Sequence, residues 1–302
     1  PTPLPVYPNH TPRLDAHGYI KREDLQPIGA FKVRGGINYL LHLSPAERQR
    51  GVITASTGNH GQSIAYAARL MGTRCIIAMP EGANPLKVEA IRRLGAEVRF
   101  YGQVFEEARE FAERLAPEEG MRYIHAVNEP LLIAGVATET LEVLEAQPDI
   151  QAIFVPVGGG SGAAGACIVA KAVNPAIQVI AVQSAQAPAG YLSWKARRLV
   201  EAPMHTFAEG LATRQGYQLT QSILWDMLDD FLLVSDEEIR EAMIVYLTQC
   251  RIIAEGAGAT SLAGALKARE RIKGCKVALI LSGANVPIEQ VRALLAGAKG
   301  NT

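Results

Sequence analysis

A chain of 302 residues carrying 30 basic and 30 acidic side chains has the length of two ordinary domains and lacks the basic excess that nucleic-acid and anionic-membrane partners favour. With 48% apolar and 20% charged residues it has the make-up of a globular protein, and no run reaches the roughly 18 apolar residues of a membrane span. The cysteines Cys75, Cys167, Cys250 and Cys275 form no C-x-x-C pair, which leaves zinc and thioredoxin-type chemistry without support.

Residues 1–12 contain five prolines and no apolar run, so no secretory leader is expected and the expected location is cytoplasmic. From there strand and helix patterns alternate. Val52–Ala55 reads as a buried strand, Ser63–Met71 as an Ala-rich helix and Cys75–Met79 as a second strand. Pro85–Leu94 is bounded by the Pro and Gly of a helix. Glu97–Tyr101 reads as a strand, and Val104–Leu115 and Leu131–Glu145 as helices. The second half continues with strand Ala152–Val157, helix Gly162–Val173 and strand Val179–Gln183. Helices Glu237–Cys250 and Ala257–Arg271, strand Lys276–Leu281 and helix Pro287–Ala296 complete the series. Such alternation implies an α/β fold with parallel sheets covered on both faces. Two glycine turns at strand ends imply two such sheets, with a ligand site between them.

Three segments stand out chemically. The first is Gly29-Ala30-Phe31-Lys32-Val33-Arg34-Gly35-Gly36. Alone, Lys32 would read as a surface lysine. The second, Ser56-Thr57-Gly58-Asn59-His60-Gly61-Gln62, joins a strand to a helix. Its N–H groups and hydroxyls suit a carboxylate, although an Asx or capping turn has the same composition. The third, Gly158-Gly159-Gly160-Ser161-Gly162, opens a helix and suits a phosphate. It also fits G-x-G-x-x-A, but the strand that follows ends Val182-Gln183-Ser184 with no ribose-binding acid. Ser282 ends a strand, where a turn or cap is the common role, and Glu255 precedes a helix, where it could serve simply as N-terminal charge.

In this order the motifs resemble the threonine/serine dehydratase family of fold-type II pyridoxal phosphate enzymes, which includes serine racemases. The likeness runs from Thr11-Pro12 to Ser282. It implies a tryptophan synthase β-like fold, with a large cofactor-binding domain over 1–48 and 130–302 and a small carboxylate-binding domain over 49–129. It implies pyridoxal 5'-phosphate linked to Lys32 as a Schiff base, with Phe31 near the ring and Asn59 on the phenolic oxygen. Gly158, Gly159, Gly160, Ser161 and Gly162 would hold the phosphate. Gly210 and Glu255 would border the cofactor, and Ser282 would hydrogen-bond the pyridine nitrogen. Ser56, Thr57, Asn59 and His60 would surround the substrate carboxylate, with Lys32, Thr57 and Ser56 as the catalytic set.

The implied reaction is β-elimination from L-threonine, L-serine or a related amino acid, giving a 2-oxo acid and ammonia. Lys32 would be the base, and a neutral Ser282 would favour rapid loss of the β-hydroxyl. An amino-acid racemase and a catalytically silent cofactor- or amino-acid-binding protein are the alternatives. A homodimer or homotetramer is implied. The chain departs from the family in four places. Ser161 stands where a fourth loop glycine is usual, and the segment from Thr11 to Lys21 is short enough to trim an N-terminal strand. No regulatory domain is expected beyond Thr302. Family members that hold a divalent cation place acids after the strand ending at Gln183. Here Gln183-Ser184-Ala185-Gln186-Ala187-Pro188-Ala189 has none, so no metal is expected.

Overall fold

The structure is a computed structural model describing residues 1–7 and 11–297. The readings made for residues 1–12 therefore fall partly outside the described residues. Nine strands occur among those described: β1 His17–Arg22, β2 Val52–Ala55, β3 Cys75–Met79, β4 Glu97–Phe100, β5 Arg122–Tyr123, β6 Ala152–Pro156, β7 Gln178–Ser184, β8 Asp230–Val234 and β9 Lys276–Leu281. They form two all-parallel sheets, ordered β1-β9-β6-β7-β8 and β4-β3-β2-β5. Every residue of β2 and β3 is buried, as is all of β9 after its first residue. Such continuous apolar runs are what two covered faces require. No described helix is long and apolar enough to cross a membrane.

The chain divides into two compact units. One comprises Pro1–Ala30 and the chain from Ala137 onward; the other is Phe31–Val136. The second unit is wider than the 49–129 span read from the sequence. Helix Lys32–Leu41 lies so close to helix Asn59–Leu70 that a Cβ on Gly36 would sit 2.3 Å from Ser63 Oγ. A Cβ on Gly35 would sit 2.9 Å from the Leu132 carbonyl oxygen. The two glycines thus bind the Lys32 helix to the second unit.

Several elements differ from the sequence reading. β1 is present rather than trimmed, with Pro3 and Pro5 carbonyls accepting from Arg22 and Ile20. Its charged residues hid it: Lys21 is only 1% exposed, and its ammonium is paired with Glu142 and donates to the Thr2 carbonyl. The helix expected over Glu237–Cys250 ends at Val245 and continues as a π-turn, Tyr246–Cys250. Arg251, at φ +58°, terminates it. The helix expected from Ser63 begins at Asn59, directly after the extended Gly58.

That early start places His60 in the interior. The Thr54 hydroxyl lies 2.7 Å from the Ile124 carbonyl oxygen and 3.0 Å from His60 Nε2. A carbonyl can only accept, so Thr54 gives its one hydrogen to Ile124 and His60 Nε2–H is the donor to Thr54. Ile124 directly follows β5, so this chain of bonds ties the helix start to β2 and β5. Burial, followed by the charge of Lys32 and then that of His125, pushes His60 down to about 3. The folded state thus binds fewer protons at His60 than the unfolded state does between that value and the ordinary 6.5. Stability from the neutral ring is full above pH 6.5 and is lost progressively as pH falls toward 3. His60→Gln keeps an N–H donor without titrating. Its unfolding free energy, from urea melts between pH 7 and 4.5, should fall less steeply with acidification than that of the wild type. Equal slopes would remove His60 from the acid response.

Candidate active site

In the second unit, Lys32 opens its helix, with its carbonyl held by Ser63 Oγ at 2.6 Å. Its ammonium lies 5.2 Å from the Phe31 ring centroid. The loop after β2 follows a different hydrogen-bond plan from the one expected. Ser56 Oγ accepts from the N–H groups of Gly58 and Gly61, at 3.1 and 2.9 Å. Those two donors turn into the loop rather than toward a ligand. Both lone pairs of Ser56 are then engaged and its hydroxyl hydrogen remains to be donated. Thr57 is half-buried, and Asn59 and His60 occupy the first turn of the helix. A helix start carries partial positive charge, which suits a carboxylate.

The sequence reading missed His125 in this unit. Its Nδ1 accepts from the Val127 and Asn128 N–H groups at 3.0 and 2.9 Å, so the proton of the neutral ring sits on Nε2. Burial holds His125 below the ordinary histidine value. The signal lay in the short segment His125-Ala126-Val127-Asn128-Glu129, which has no recognisable spacing of its own.

In the first unit, Gly158–Gly160 follows β6 and leads into helix Ser161–Val173. Gly160 has φ +93°, which favours glycine. A Cβ on Gly158 would lie 2.1 Å from the Gly210 carbonyl oxygen. That closeness ties two of the singled-out positions together, and a Cβ on Gly210 itself would lie 2.7 Å from that of Ala257. Gly162 and Ser161 are buried at the helix start. Glu255 is the N-cap residue of helix Gly256–Lys267, and its Oε1 would lie 2.8 Å from a Cβ on Gly283. Ser282 directly follows β9, is 4% exposed, and makes no hydrogen bond to another described residue. A buried hydroxyl with no side-chain partner among the described residues, next to the Gly283 that meets the start of helix Gly256–Lys267, fits a heterocycle with a ring nitrogen.

The segment after β7 is held by side chains of its own unit. Gln183 is fully buried and accepts from Tyr191 N–H at 3.0 Å, while Gln221 donates to the Gly190 carbonyl at 3.0 Å. Asp236 accepts from Ser184 and Thr206 hydroxyls, each at 2.7 Å, and from Phe207 N–H at 3.1 Å. This fixes the strand of chain that leads to Gly210. An open groove of about 470 Å³ nearby is lined by Glu201, Ala202, Pro203, Met204, His205 and Arg214. Among the described residues, no three His, Cys, Asp or Glu side chains are grouped to hold a metal ion.

Comparison with known proteins identifies the fold and the family. Residues 1–283 match the model of the pyridoxal-phosphate dependent enzyme family. The chain is 39% identical to an L-threonine ammonia-lyase of Thermotoga maritima over 276 residues, covering 90% of this chain and 68% of that one. Among solved structures, threonine deaminase isoform 2 of Solanum lycopersicum superposes with a TM-score of 0.95 at 34% identity, over 99% of this chain and 88% of that one. Serine racemase of Dictyostelium discoideum does so with a TM-score of 0.90 at 34% identity, over 95% and 93%. The two parallel sheets with their covering helices are thus those of a fold-type II enzyme, and the chain belongs to the pyridoxal-phosphate dependent enzyme family.

Proposed function

We propose that the protein dehydrates and deaminates a β-hydroxy amino acid such as L-threonine or L-serine, releasing a 2-oxo acid and ammonia. The observation that carries the choice of reaction is Ser282, a buried neutral hydroxyl at the end of β9. A neutral partner leaves a pyridine nitrogen largely unprotonated, which favours prompt expulsion of the β-hydroxyl over storage of negative charge. The threonine ammonia-lyase and threonine deaminase relatives support the same reading.

When bound, pyridoxal phosphate supplies an aldehyde carbon for covalent attachment and an electron-withdrawing ring. In this reading Gly158, Gly159, Gly160, Ser161 and Gly162 hold its phosphate on N–H groups at a helix start. Asn59 meets its phenolic oxygen, Phe31, Gly210 and Glu255 border it, and Ser282 meets its ring nitrogen. Lys32 Nζ takes the covalent link and then serves as the base that removes the Cα proton of the substrate. Ser56 donates its remaining hydrogen to the substrate carboxylate, joined by Thr57, Asn59 and the backbone N–H of His60. His60 stays neutral, so it orients the loop without adding charge beside Lys32. Phe31–Val136 is then the carboxylate-binding unit. Chain 185–214 would frame the substrate side chain. The reading includes a cytoplasmic homodimer or homotetramer. A second reading, racemisation, is favoured by the Thr57 hydroxyl as a second proton-handling group and by the resemblance to a serine racemase.

A panel of β-hydroxy amino acids, assayed for keto acid and for chirality of recovered substrate, separates the two readings. Purified protein should show a visible absorbance bleached by borohydride. Lys32→Ala should lose it, with turnover reduced by at least about a thousandfold, as for loss of a covalent catalyst; near-normal turnover would overturn the role of Lys32. Because Gln183–Ala189 offers no carboxylate, chelation should leave kcat/KM within about twofold of the untreated enzyme. Loss on chelation with rescue by magnesium or calcium would show a cation at work. Ser282→Asp should slow keto-acid release while raising solvent-deuterium incorporation into recovered substrate. Ser282→Ala should mainly weaken cofactor binding, by about 1 kcal/mol for a neutral hydrogen bond. An unchanged partition in the Asp variant would make Ser282 a simple turn residue.

A further inference from the structure

The cradle after β6 has carbonyl oxygens as well as N–H groups, and the carbonyls would repel a phosphate. Two threonines outside the motif deal with them. Thr220, on helix Gln218–Met227, has its hydroxyl 2.7 Å from the Gly159 carbonyl oxygen and 3.3 Å from that of Tyr217. It has one hydrogen to give, and the shorter contact is the one it serves. Thr213 makes a longer contact, 3.5 Å, to the Gly158 carbonyl. The described peptide bonds are all trans. In a trans peptide the C=O and the following N–H point in opposite directions. Holding the Gly159 carbonyl toward Thr220 therefore aims the Gly160 N–H the other way. Thr213 acts similarly, but more weakly, on the Gly159 N–H.

Thr220 is well placed to hold that aim. It is fully buried, and its helix packs on Ser161–Val173, the helix that the cradle opens. A Cβ on Gly160 would lie 3.1 Å from Thr220 Oγ1 and 3.2 Å from its Cβ, so the side chain also fills the space behind the turn. Gln221, the next residue, holds the Gly190 carbonyl. One helix thus anchors both the cradle and the start of helix Ala189–Ala196.

We propose that Thr220 is a positioning residue that aims the amide hydrogens of the cradle at the cofactor phosphate. The inference rests on the reading that Gly158–Ser161 holds that phosphate. Thr220→Val keeps the shape, removes the hydrogen and leaves the half-buried Gly159 carbonyl without this partner. Holoenzyme of this variant should bind pyridoxal phosphate about tenfold more weakly, with a shifted ³¹P resonance of the bound phosphate. Thr220→Ser keeps the hydroxyl and should restore both. Gly158→Ala, whose Cβ meets the Gly210 carbonyl, serves as the control on the cradle itself. If Gly158→Ala weakens cofactor binding and Thr220→Val does not, the cradle stands and the role of Thr220 falls. If Gly158→Ala has no effect, the cradle assignment falls too. Equal weakening in the Val and Ser variants would assign the effect to packing and overturn the proposal. Should the Val variant not fold, the Ser variant decides, because its affinity and resonance must match the wild type.

Discussion

Backbone meeting backbone is the constraint on which the first unit depends. Gly158 approaches the Gly210 carbonyl, and a Cβ on Gly258 would lie 2.2 Å from the Gly283 carbonyl oxygen. A Cβ on Gly256 would lie 2.8 Å from that of Ala208. No side chain larger than hydrogen allows these approaches. Together they draw the ends of β6 and β9, the turn at Gly210 and the start of helix Gly256–Lys267 into one patch. The buried Ser282 belongs to that patch. Its neighbours are peptide groups with fixed dipoles, and fixed dipoles are what a charged ligand can use without reorganising the protein.

The second unit reaches a similar end by different means. Its polar interior is organised by hydroxyls whose single hydrogens are committed. Thr54 serves Ile124, Ser63 serves Lys32, and Ser56 collects two loop N–H groups. Two histidines are held neutral by burial, each with its proton on Nε2. One of them, His60, lies close enough to Lys32 to feel its charge and adds none of its own.

Much of this was legible in the order of the residues. Six of the nine described strands were readable as short segments, and two of the three chemical segments as glycine turns at strand ends. What stayed hidden has a common physical cause. β1 contains Lys21, which is acceptable in a strand only because Glu142, 121 residues away, neutralises it. The boundary of the second unit depends on Gly35 and Gly36 meeting Leu132 and Ser63, contacts that no local pattern encodes. The inward turn of two N–H groups onto Ser56 could not be told from an outward one, since both use the same residues. Thr213, Thr220 and His125 carry no spacing signature, because their partners are backbone atoms and any residue supplies those.

The peptide that joins Gly190 to Tyr191 is gripped at both ends, its carbonyl by Gln221 and its N–H by Gln183. Both grips belong to the same chain. A solute bound at such a place stabilises in proportion to the logarithm of its concentration, and the segment it orders loosens when the supply falls. A tethered amide has a fixed effective concentration, set by the fold and indifferent to the medium. These two grips at the head of helix Ala189–Ala196 are therefore supplied by the fold itself. They vary with temperature and denaturant, as the rest of the unit does.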